Sequence, residues 1–101
     1  MNEELIVAKN AQTPQGECLK IGYYLLSEQI TLPDAPDHVG YGIKIILKRE
    51  NGVVEEHAMS DLSCYKLGVL ALIRLLSVHA VLPIAMEETV LDYLQAHDLC
   101  V

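Results

Sequence analysis

Apolar residues recur with a period of two in the first half of the chain. Every second residue of the segment 18–27 is apolar, which is typical of a β-strand with one buried face. A shorter apolar run at residues 5–9 predicts another strand, and the Thr-Pro-Gln-Gly sequence of residues 13–16 predicts a turn between them. The buried face of the longer strand is predicted to consist of Leu19, Ile21, Tyr23 and Leu25.

The clearest local pattern is a β-hairpin around Asn51-Gly52. Alternate residues over 41–47 are apolar before this dipeptide, and a second apolar run follows it. Asn-Gly favours a two-residue type I′ turn because both central residues need a positive φ. A loop of that length places Lys48 opposite Glu55, two side chains of opposite charge. The buried face of the hairpin is then formed by Ile43, Ile45 and Leu47.

Proline and capping residues divide the rest of the chain. Residues 31–40 contain two Pro-Asp dipeptides, Pro33-Asp34 and Pro36-Asp37, which favour turns, and the segment is predicted to be a loop. Ser60 is a favourable N-cap, so a helix is predicted from about residue 61 to residue 79. Pro83 suits the first turn of a second helix, which is predicted to end near residue 97.

The order of these elements indicates the fold class. Strands come first and helices second, which favours a segregated α+β fold over a parallel βαβ sheet. We expect an antiparallel sheet of about four strands, followed by two C-terminal helices packed on one face. A chain of 101 residues is near the commonest domain size, so residues 1–101 are expected to form a single domain.

Charge narrows the classes of partner. The chain is acidic, with a net charge of −7, which disfavours binding to nucleic acids or anionic membranes through bulk electrostatics. The second predicted helix presents acidic side chains, so it does not suit a DNA-recognition helix. Basic side chains that remain for such a role lie on the predicted strands, and they are Lys20, Lys44 and Lys48.

Compartment and membrane association follow from the apolar segments and the cysteines. The apolar segment 67–85 carries Arg74 near its middle, so it is predicted to be a buried helix and turn, not a membrane span. The N-terminal residues are acidic where a secretory signal would be basic. Three cysteines without a C-x-x-C pair indicate reduced thiols, and we expect a cytoplasmic protein. These cysteines are Cys18, Cys64 and Cys100.

Catalytic and metal-binding motifs are not recognisable in the sequence. Glu55 and His57 share a strand face but lack a third metal ligand nearby, and His97 with Cys100 is half of a zinc-like pattern. Cys64 near a helix start resembles the setting of a reactive thiol, although most such cysteines are small buried residues. We therefore expect no catalytic residues, no metal and no cofactor, and the sequence favours a protein that is not an enzyme over an enzyme.

The first predicted helix carries more apolar surface than one sheet face requires. A helix in a two-layer domain normally needs one apolar stripe, whereas residues 67–78 are apolar almost all round. The second helix and the chain termini could cover this excess, or a second copy of the chain could cover it in a homodimer. The second hypothesis predicts a non-enzymatic interaction or regulatory module. Its predicted interaction surface comprises Leu67, Leu70, Ile73, Arg74 and Leu76.

An alternative hypothesis is a small-ligand binder or enzyme with its site between a sheet face and the loop at residues 31–40. Loops next to a rigid scaffold often carry binding residues, and tyrosine and histidine side chains can contact a ligand. The ligand cannot be identified from these residue types. The predicted pocket consists of Tyr23, Tyr24, His38 and Tyr41.

Several short motifs also resemble a known family. Tyr41-Gly42-Ile43 opens a predicted strand, residues 60–63 (Ser-Asp-Leu-Ser) open a predicted helix, and residues 92–94 (Asp-Tyr-Leu) follow Pro83 in the second helix. Together they resemble a family of short bacterial proteins, about one domain long, that is a domain of unknown function. The resemblance implies a bacterial cytoplasmic setting and implies no activity.

Overall fold

A computed structural model, which describes residues 1–97, shows a four-stranded antiparallel sheet followed by two helices. The strands lie in chain order, β1-β2-β3-β4, and both helices pack on one face of the sheet. The predicted α+β class and element order are thereby confirmed. The elements are β1 (Asn2–Gln12), β2 (Cys18–Leu32), β3 (Ala35–Arg49), β4 (Val54–Ser63), α1 (Lys66–Val78) and α2 (Pro83–His97).

The core lies between the two central strands and the helices. The alternating residues of β2 and β3 point to this side, as predicted, and the buried residues of α1 and α2 pack on them. Because aliphatic side chains fill the space between sheet and helices, burial of apolar surface is the main stabilising contribution. The core residues are Leu19, Ile21, Tyr23, Leu25, Ile43, Ile45, Leu47, Val69, Leu72, Ile73, Leu76, Met86 and Val90.

The turn between β1 and β2 lies where the sequence predicts it. The backbone N–H of Gly16 donates to the carbonyl oxygen of Thr13 at 2.8 Å. The Thr13 hydroxyl accepts a hydrogen bond from the backbone N–H of Glu17 at 3.1 Å. Thr13 therefore satisfies two backbone donors of the turn and holds β1 antiparallel to β2.

The loop between β3 and β4 has three residues, not the predicted two. The backbone N–H of Arg49 donates to the carbonyl oxygen of Val53 at 2.9 Å, which leaves residues 50–52 as the loop. Gly52 ends it with φ +88, a left-handed conformation that glycine adopts without steric cost. A type I turn followed by one left-handed residue is a common hairpin connection, so Asn-Gly suits this loop as well as the shorter one.

The extra loop residue shifts the pairing of β4. Lys48 pairs with Val54 instead of Glu55, so the predicted register was wrong by one residue. Since successive side chains of a strand point to opposite faces, this shift turns every β4 side chain to the face opposite the predicted one. His57 consequently lies opposite Ile45 on the helix-covered face of the sheet.

Residues 31–40 are mostly strand, so the prediction of a loop there was wrong. β2 and β3 continue past the ends of their outer neighbours and turn at Pro33-Asp34. The β1 pairing begins at Ser27 and the β4 pairing ends at Tyr41, so residues 28–40 form a two-stranded ribbon. We call this ribbon the arm. The prolines fall at the turn and in the arm, where no neighbouring strand needs their missing N–H group.

The first helix begins five residues later than predicted. β4 continues to Ser63, and Asp61 has φ +52 in a bulge opposite Gly42, so Ser60 is not an N-cap. The N-cap is Tyr65, whose backbone N–H donates to the Ser63 hydroxyl oxygen at 2.9 Å. The second helix begins at Pro83 as predicted.

Candidate functional site

The structure does not bring the four residues of the predicted pocket together. Tyr23 and Tyr24 are neighbours in β2 and therefore point to opposite faces of the sheet. His38 lies on the exposed arm, paired with Ile30, and Tyr41 is half-buried on the helix-covered face. The space between the sheet and the predicted loop does not exist, because that segment continues the sheet as the arm.

Tyr23 is a structural residue of the core. Its side chain is fully buried, and its hydroxyl donates to the carbonyl oxygen of Val81 in the α1–α2 connection at 3.0 Å. Burial raises the pKa of Tyr23 to about 12, because the phenolate would lose its contact with water. The hydroxyl therefore fixes the connection to the sheet and is not available to a ligand.

Glu55 and His57, the two possible metal ligands on β4, have separate partners. Glu55 accepts a hydrogen bond from Arg49 Nε at 2.6 Å, and His57 Nε2 lies 3.6 Å from a carboxylate oxygen of Glu87 in α2. Among residues 1–97, no three histidine, cysteine or acidic side chains are grouped as metal ligands. The other considered pair involves Cys100, which lies outside the described residues.

The two cysteines in the described part of the chain are exposed free thiols. Cys64 lies between β4 and α1, before the first helical residue, and not within the helix as predicted. Hydrogen bonding to Glu50 and the negative charge of its carboxylate raise the pKa of the Cys18 thiol. A higher pKa lowers the fraction of thiolate at neutral pH, so Cys18 is not an activated nucleophile.

The predicted interaction residues of α1 divide between the core and the surface. Ile73 and Leu76 are fully buried against the sheet, and Leu70 packs partly against the same core. Leu67 is 65% exposed, and Arg74 is also exposed. The apolar surface that α1 leaves uncovered is therefore a different set. We call it the outer α1 stripe, and it consists of Leu67, Ala71, Leu75 and Val78.

α2 presents a second uncovered face. Ile84 is 88% exposed and Leu91 is 45% exposed. They are seven residues apart, about two helical turns, so they lie on the same side of the helix. Acidic side chains flank them and line a shallow groove along the outside of the helix. We call this the outer α2 face, and it consists of Ile84, Glu87, Glu88, Leu91 and Asp92.

The sheet face opposite the helices is open and has a shallow depression of about 230 Å³. Its floor is Gly22, and the ring of Tyr24 lies so close that a Cβ at Gly22 would be 2.9 Å from Tyr24 Cε1. Lys20 and Lys48 line one side, directly opposite each other in the β2–β3 pairing. The remaining lysine of the face, Lys44, is held by Glu3 at 3.2 Å.

The sequence indicated the lysines of this face but not their arrangement. Alternation in each strand places Lys20 and Lys48 on the side away from the core. Their direct opposition depends on the register between two strands that are joined through the arm, and the sequence predicted that connection as a loop. The open depression was therefore not predicted.

Within residues 1–97, neither helix is both long enough and apolar enough to cross a membrane.

Comparison with known proteins gives a family but no activity. The model of a family of unknown function, DUF6514, matches residues 2–96, and the chain belongs to this family. The resemblance to a family of unknown function, suggested by short motifs, is thereby confirmed. No curated protein and no solved structure matches the chain.

Proposed function

We propose that this member of the DUF6514 family is a non-enzymatic interaction module that forms a homodimer through the outer faces of its two helices. The proposal rests on the uncovered apolar surface of α1 and α2. Both helices pack on the same side of the sheet, so their outward faces look away from the core in the same general direction. Together they form one candidate surface, whereas the sheet face lies on the other side of the molecule.

The outer α1 stripe has the spacing of a helix–helix contact. Leu67, Ala71, Leu75 and Val78 are separated by four, four and three residues, which places them along one side of the helix. Val78 is 70% exposed, and Leu67 is nearly as exposed. Contiguous apolar side chains in such an arrangement are typical of a protein–protein contact, since a solvated helix face normally carries charged residues.

Charge complementarity favours a second copy of the chain as the partner. Arg74 lies beside the outer α1 stripe, and α1 contains no acidic residue. The outer α2 face carries only acidic charges, and α2 contains no lysine or arginine. In a two-fold dimer, α1 of each protomer can pack against α2 of the other, and Arg74 then meets the acidic side chains at the rim of the contact.

Within residues 1–97, Arg74 has no ion-pair partner. In the described residues, it takes part in none of the ion pairs, which involve Lys44, Arg49 and His57. An exposed arginine is therefore free to bind a carboxylate of another chain. Such a rim pair contributes orientation and specificity, whereas the apolar stripe contributes most of the affinity.

The test is the solution mass, measured by light scattering over a range of concentrations. We expect twice the chain mass of 11.2 kDa for the unmodified protein. The double variant Leu67→Glu/Val78→Glu is expected to be monomeric, because it places two charges in the apolar stripe. Leu32→Glu/Val54→Glu is the matched control, since it adds the same charges at side chains of similar exposure away from the helices.

A charge exchange tests the orientation of the two protomers. Arg74→Glu is expected to weaken the dimer, because like charges then meet at the rim, and Arg74→Glu/Glu88→Arg is expected to restore it. A monomer at all concentrations contradicts the proposal. A dimer that survives Leu67→Glu/Val78→Glu but is lost in the control also contradicts it.

The proposed setting is a bacterial cytoplasm. The exposed thiols of Cys18 and Cys64 support it, because thiols persist in reducing compartments and tend to form disulfides in oxidising ones. A regulatory role would be exerted through the dimer itself or through a partner bound by it. Co-purification from a bacterial cytoplasm is the corresponding experiment, with the monomeric variant as its reference.

A further inference from the structure

Two lysines face each other on the open side of the sheet. Lys20 of β2 and Lys48 of β3 are directly opposite in the strand pairing, and Asn10 of β1 is the next residue in the same row. Like charges directly opposite each other destabilise a sheet, because their side chains are close and repel each other. The row therefore carries a local excess of positive charge in a protein whose net charge is −7.

The other basic side chains of the sheet are bound to partners. Lys44 lies 3.2 Å from Glu3, Arg49 Nε lies 2.6 Å from Glu55, and Lys9 Nζ donates to the carbonyl oxygen of Ser77 at 2.7 Å. In the part of the chain that the structure describes, Lys20 and Lys48 belong to no ion pair. The positive charge of this row is thus available to an anion.

Two acidic side chains near this row do not neutralise it. Glu56 pairs with Ile46 on the same face, and its carboxylate lies 3.9 Å from Lys44 Nζ. Glu50 lines a second depression with Lys20 and Lys48, on the side nearer the β3–β4 loop. Its carboxylate accepts a hydrogen bond from the backbone N–H of Cys18 at 3.1 Å instead of pairing with either lysine. Both ammonium groups can therefore turn toward the depression at Gly22.

The floor of that depression is flat and apolar. Gly22 has no side chain, and its neighbours across the sheet are Ala8 on one side and Ile46 on the other. The ring of Tyr24 lies against Gly22, and its hydroxyl oxygen is 3.3 Å from the position of a Cβ there. The hydroxyl thus points along β2 toward the lysine row, so a polar donor lies beside an aromatic and aliphatic surface.

We propose that this open face is a binding site for a small, flat organic anion. The anionic group, a phosphate monoester or a group of similar charge, lies between the ammonium groups of Lys20 and Lys48. The flat body of the ligand lies on the ring of Tyr24, which itself covers Gly22, and contacts Ile46. Lysine suits this role because it binds phosphate as a point charge and imposes little geometry.

Charge and size exclude a nucleic acid from this proposal. Two unpaired lysines neutralise only a few phosphates, whereas the net charge of −7 repels a long polyanion. A single small anion feels the local field of the two lysines more than the distant acidic groups, because salt screens charges beyond about 10 Å. The site goes beyond the proposed dimer and lies on the opposite side of the molecule.

The experiment is a titration of the ¹⁵N-labelled full chain with phenyl phosphate, followed by NMR. We expect saturable shifts that are largest at the amides of Lys20, Gly22, Tyr24, Ile46 and Lys48, with a dissociation constant of about 1 mM. Inorganic phosphate and phenol are titrated separately. Each is expected to bind at least about tenfold more weakly, because each lacks one half of the ligand.

Single variants separate a site from a general effect of charge. Lys20→Gln and Lys48→Gln are each expected to weaken binding of phenyl phosphate about tenfold, since each removes one charge-assisted contact. Lys66→Gln is the matched control, because it removes one exposed positive charge at the start of α1. It is expected to leave the affinity within about twofold, as expected for a screened distant charge.

Three results of these titrations overturn the proposal. They are shifts that do not saturate, shifts centred elsewhere, and an equal loss of affinity in all three variants. If a lysine variant does not fold, the melting temperature of the unmodified chain with and without phenyl phosphate supplies the second measurement. A rise is expected with saturating ligand, and no rise overturns the proposal. A negative result in these binding experiments does not contradict the proposed dimer, because the dimer is tested separately by the solution mass.

Discussion

Adjacent tyrosines of β2 experience opposite environments. Tyr24 lies on the open sheet face, whereas Tyr23 is fully buried and donates a hydrogen bond to Val81. Burial raises the pKa of Tyr23 to about 12, so its phenol stays protonated in the folded protein well above the ordinary value of 10.0. The unfolded chain releases this proton at lower pH, which links the stability of the fold to alkaline pH.

The linkage gives a prediction for Tyr23→Phe. Between pH 10 and about 12 the unfolded state binds fewer protons at this residue than the folded state, so the free energy of unfolding falls as pH rises. The contribution from Tyr23 has a slope of at most about 1.4 kcal/mol per pH unit. We expect Tyr23→Phe to be less stable than the unmodified chain at neutral pH by about 1 kcal/mol, through loss of the hydrogen bond.

The difference in the free energy of unfolding between the unmodified chain and Tyr23→Phe is expected to shrink as the pH rises above about 10. Only the unmodified chain loses stability through this residue, because phenylalanine cannot ionise. Urea unfolding at several pH values measures this difference. A constant difference for Tyr23→Phe would contradict the assignment of a raised pKa to the buried hydroxyl.

At the scale of elements, the least predictable feature is the course of β4. One additional loop residue reverses the faces of the strand, and a bulge opposite Gly42 extends it into residues that resemble a helix start. Ser60 and Asp61 are favourable at the beginning of a helix, yet the strand pairing of Ser63 with Tyr41 prevails over that local preference. Tertiary pairing decided the boundary, and local sequence could not indicate it.

The bulge predicts that Gly42 is required. A Cβ at this position would overlap the carbonyl oxygen of Met59 and lie 2.7 Å from the Cα of Ser60. Because both obstacles are backbone atoms of a paired strand, they cannot rotate away. We expect Gly42→Ala to lower the free energy of unfolding by about 3 kcal/mol, measured by urea unfolding.

Gly22→Ala is the matched substitution in the same sheet. Its Cβ would meet the end of the Tyr24 side chain, which can rotate, and alanine is more favourable than glycine within a strand. A change smaller than about 1 kcal/mol is expected. Equal effects at the two glycines would show that the close approach of β4 at Gly42 does not limit stability.

The predictable elements are those in which local pattern and final environment agree. Alternation in β2 and in β3 identified the core side of both strands, and Pro83 identified the start of α2. The arm was missed because Pro33 and Pro36 favour turns, and only the pairing of β2 with β3 shows that both strands continue up to the turn at Pro33-Asp34. The sequence identified only part of the proposed interaction surface. Leu67 and Arg74 are exposed as expected, but Ile73 and Leu76 are buried, because the side of α1 that faces the sheet depends on how the helix packs.

At the scale of the whole molecule, the arm is separate from the core. Residues 31–39 are all exposed, and no outer strand accompanies the ribbon. An isolated two-stranded ribbon is at best marginally stable, so its hydrogen bonds little more than offset the entropy of ordering it. The arm therefore contributes little to the stability of the fold.

Replacement of residues 29–39 by Asn-Gly tests this separation. Glu28 pairs with Gly40, so a two-residue connection can join β2 to β3 at that point. We expect the free energy of unfolding to change by less than about 1 kcal/mol, as measured by urea unfolding. A loss of several kcal/mol would mean that the arm supports the core. The control is Ile45→Ala, which removes a fully buried side chain and is expected to cost about 3 kcal/mol.

The arm also determines how the molecule moves through water. The chain measures 52 × 27 × 18 Å, and its radius of gyration is 14.6 Å, against about 13 Å for a typical domain of this length. An elongated body has more friction than a sphere of equal mass, so it diffuses more slowly and leaves a gel-filtration column earlier. A monomer of 11.2 kDa would thus elute like a heavier globular protein, and removal of the arm would delay its elution by more than the lost mass alone accounts for.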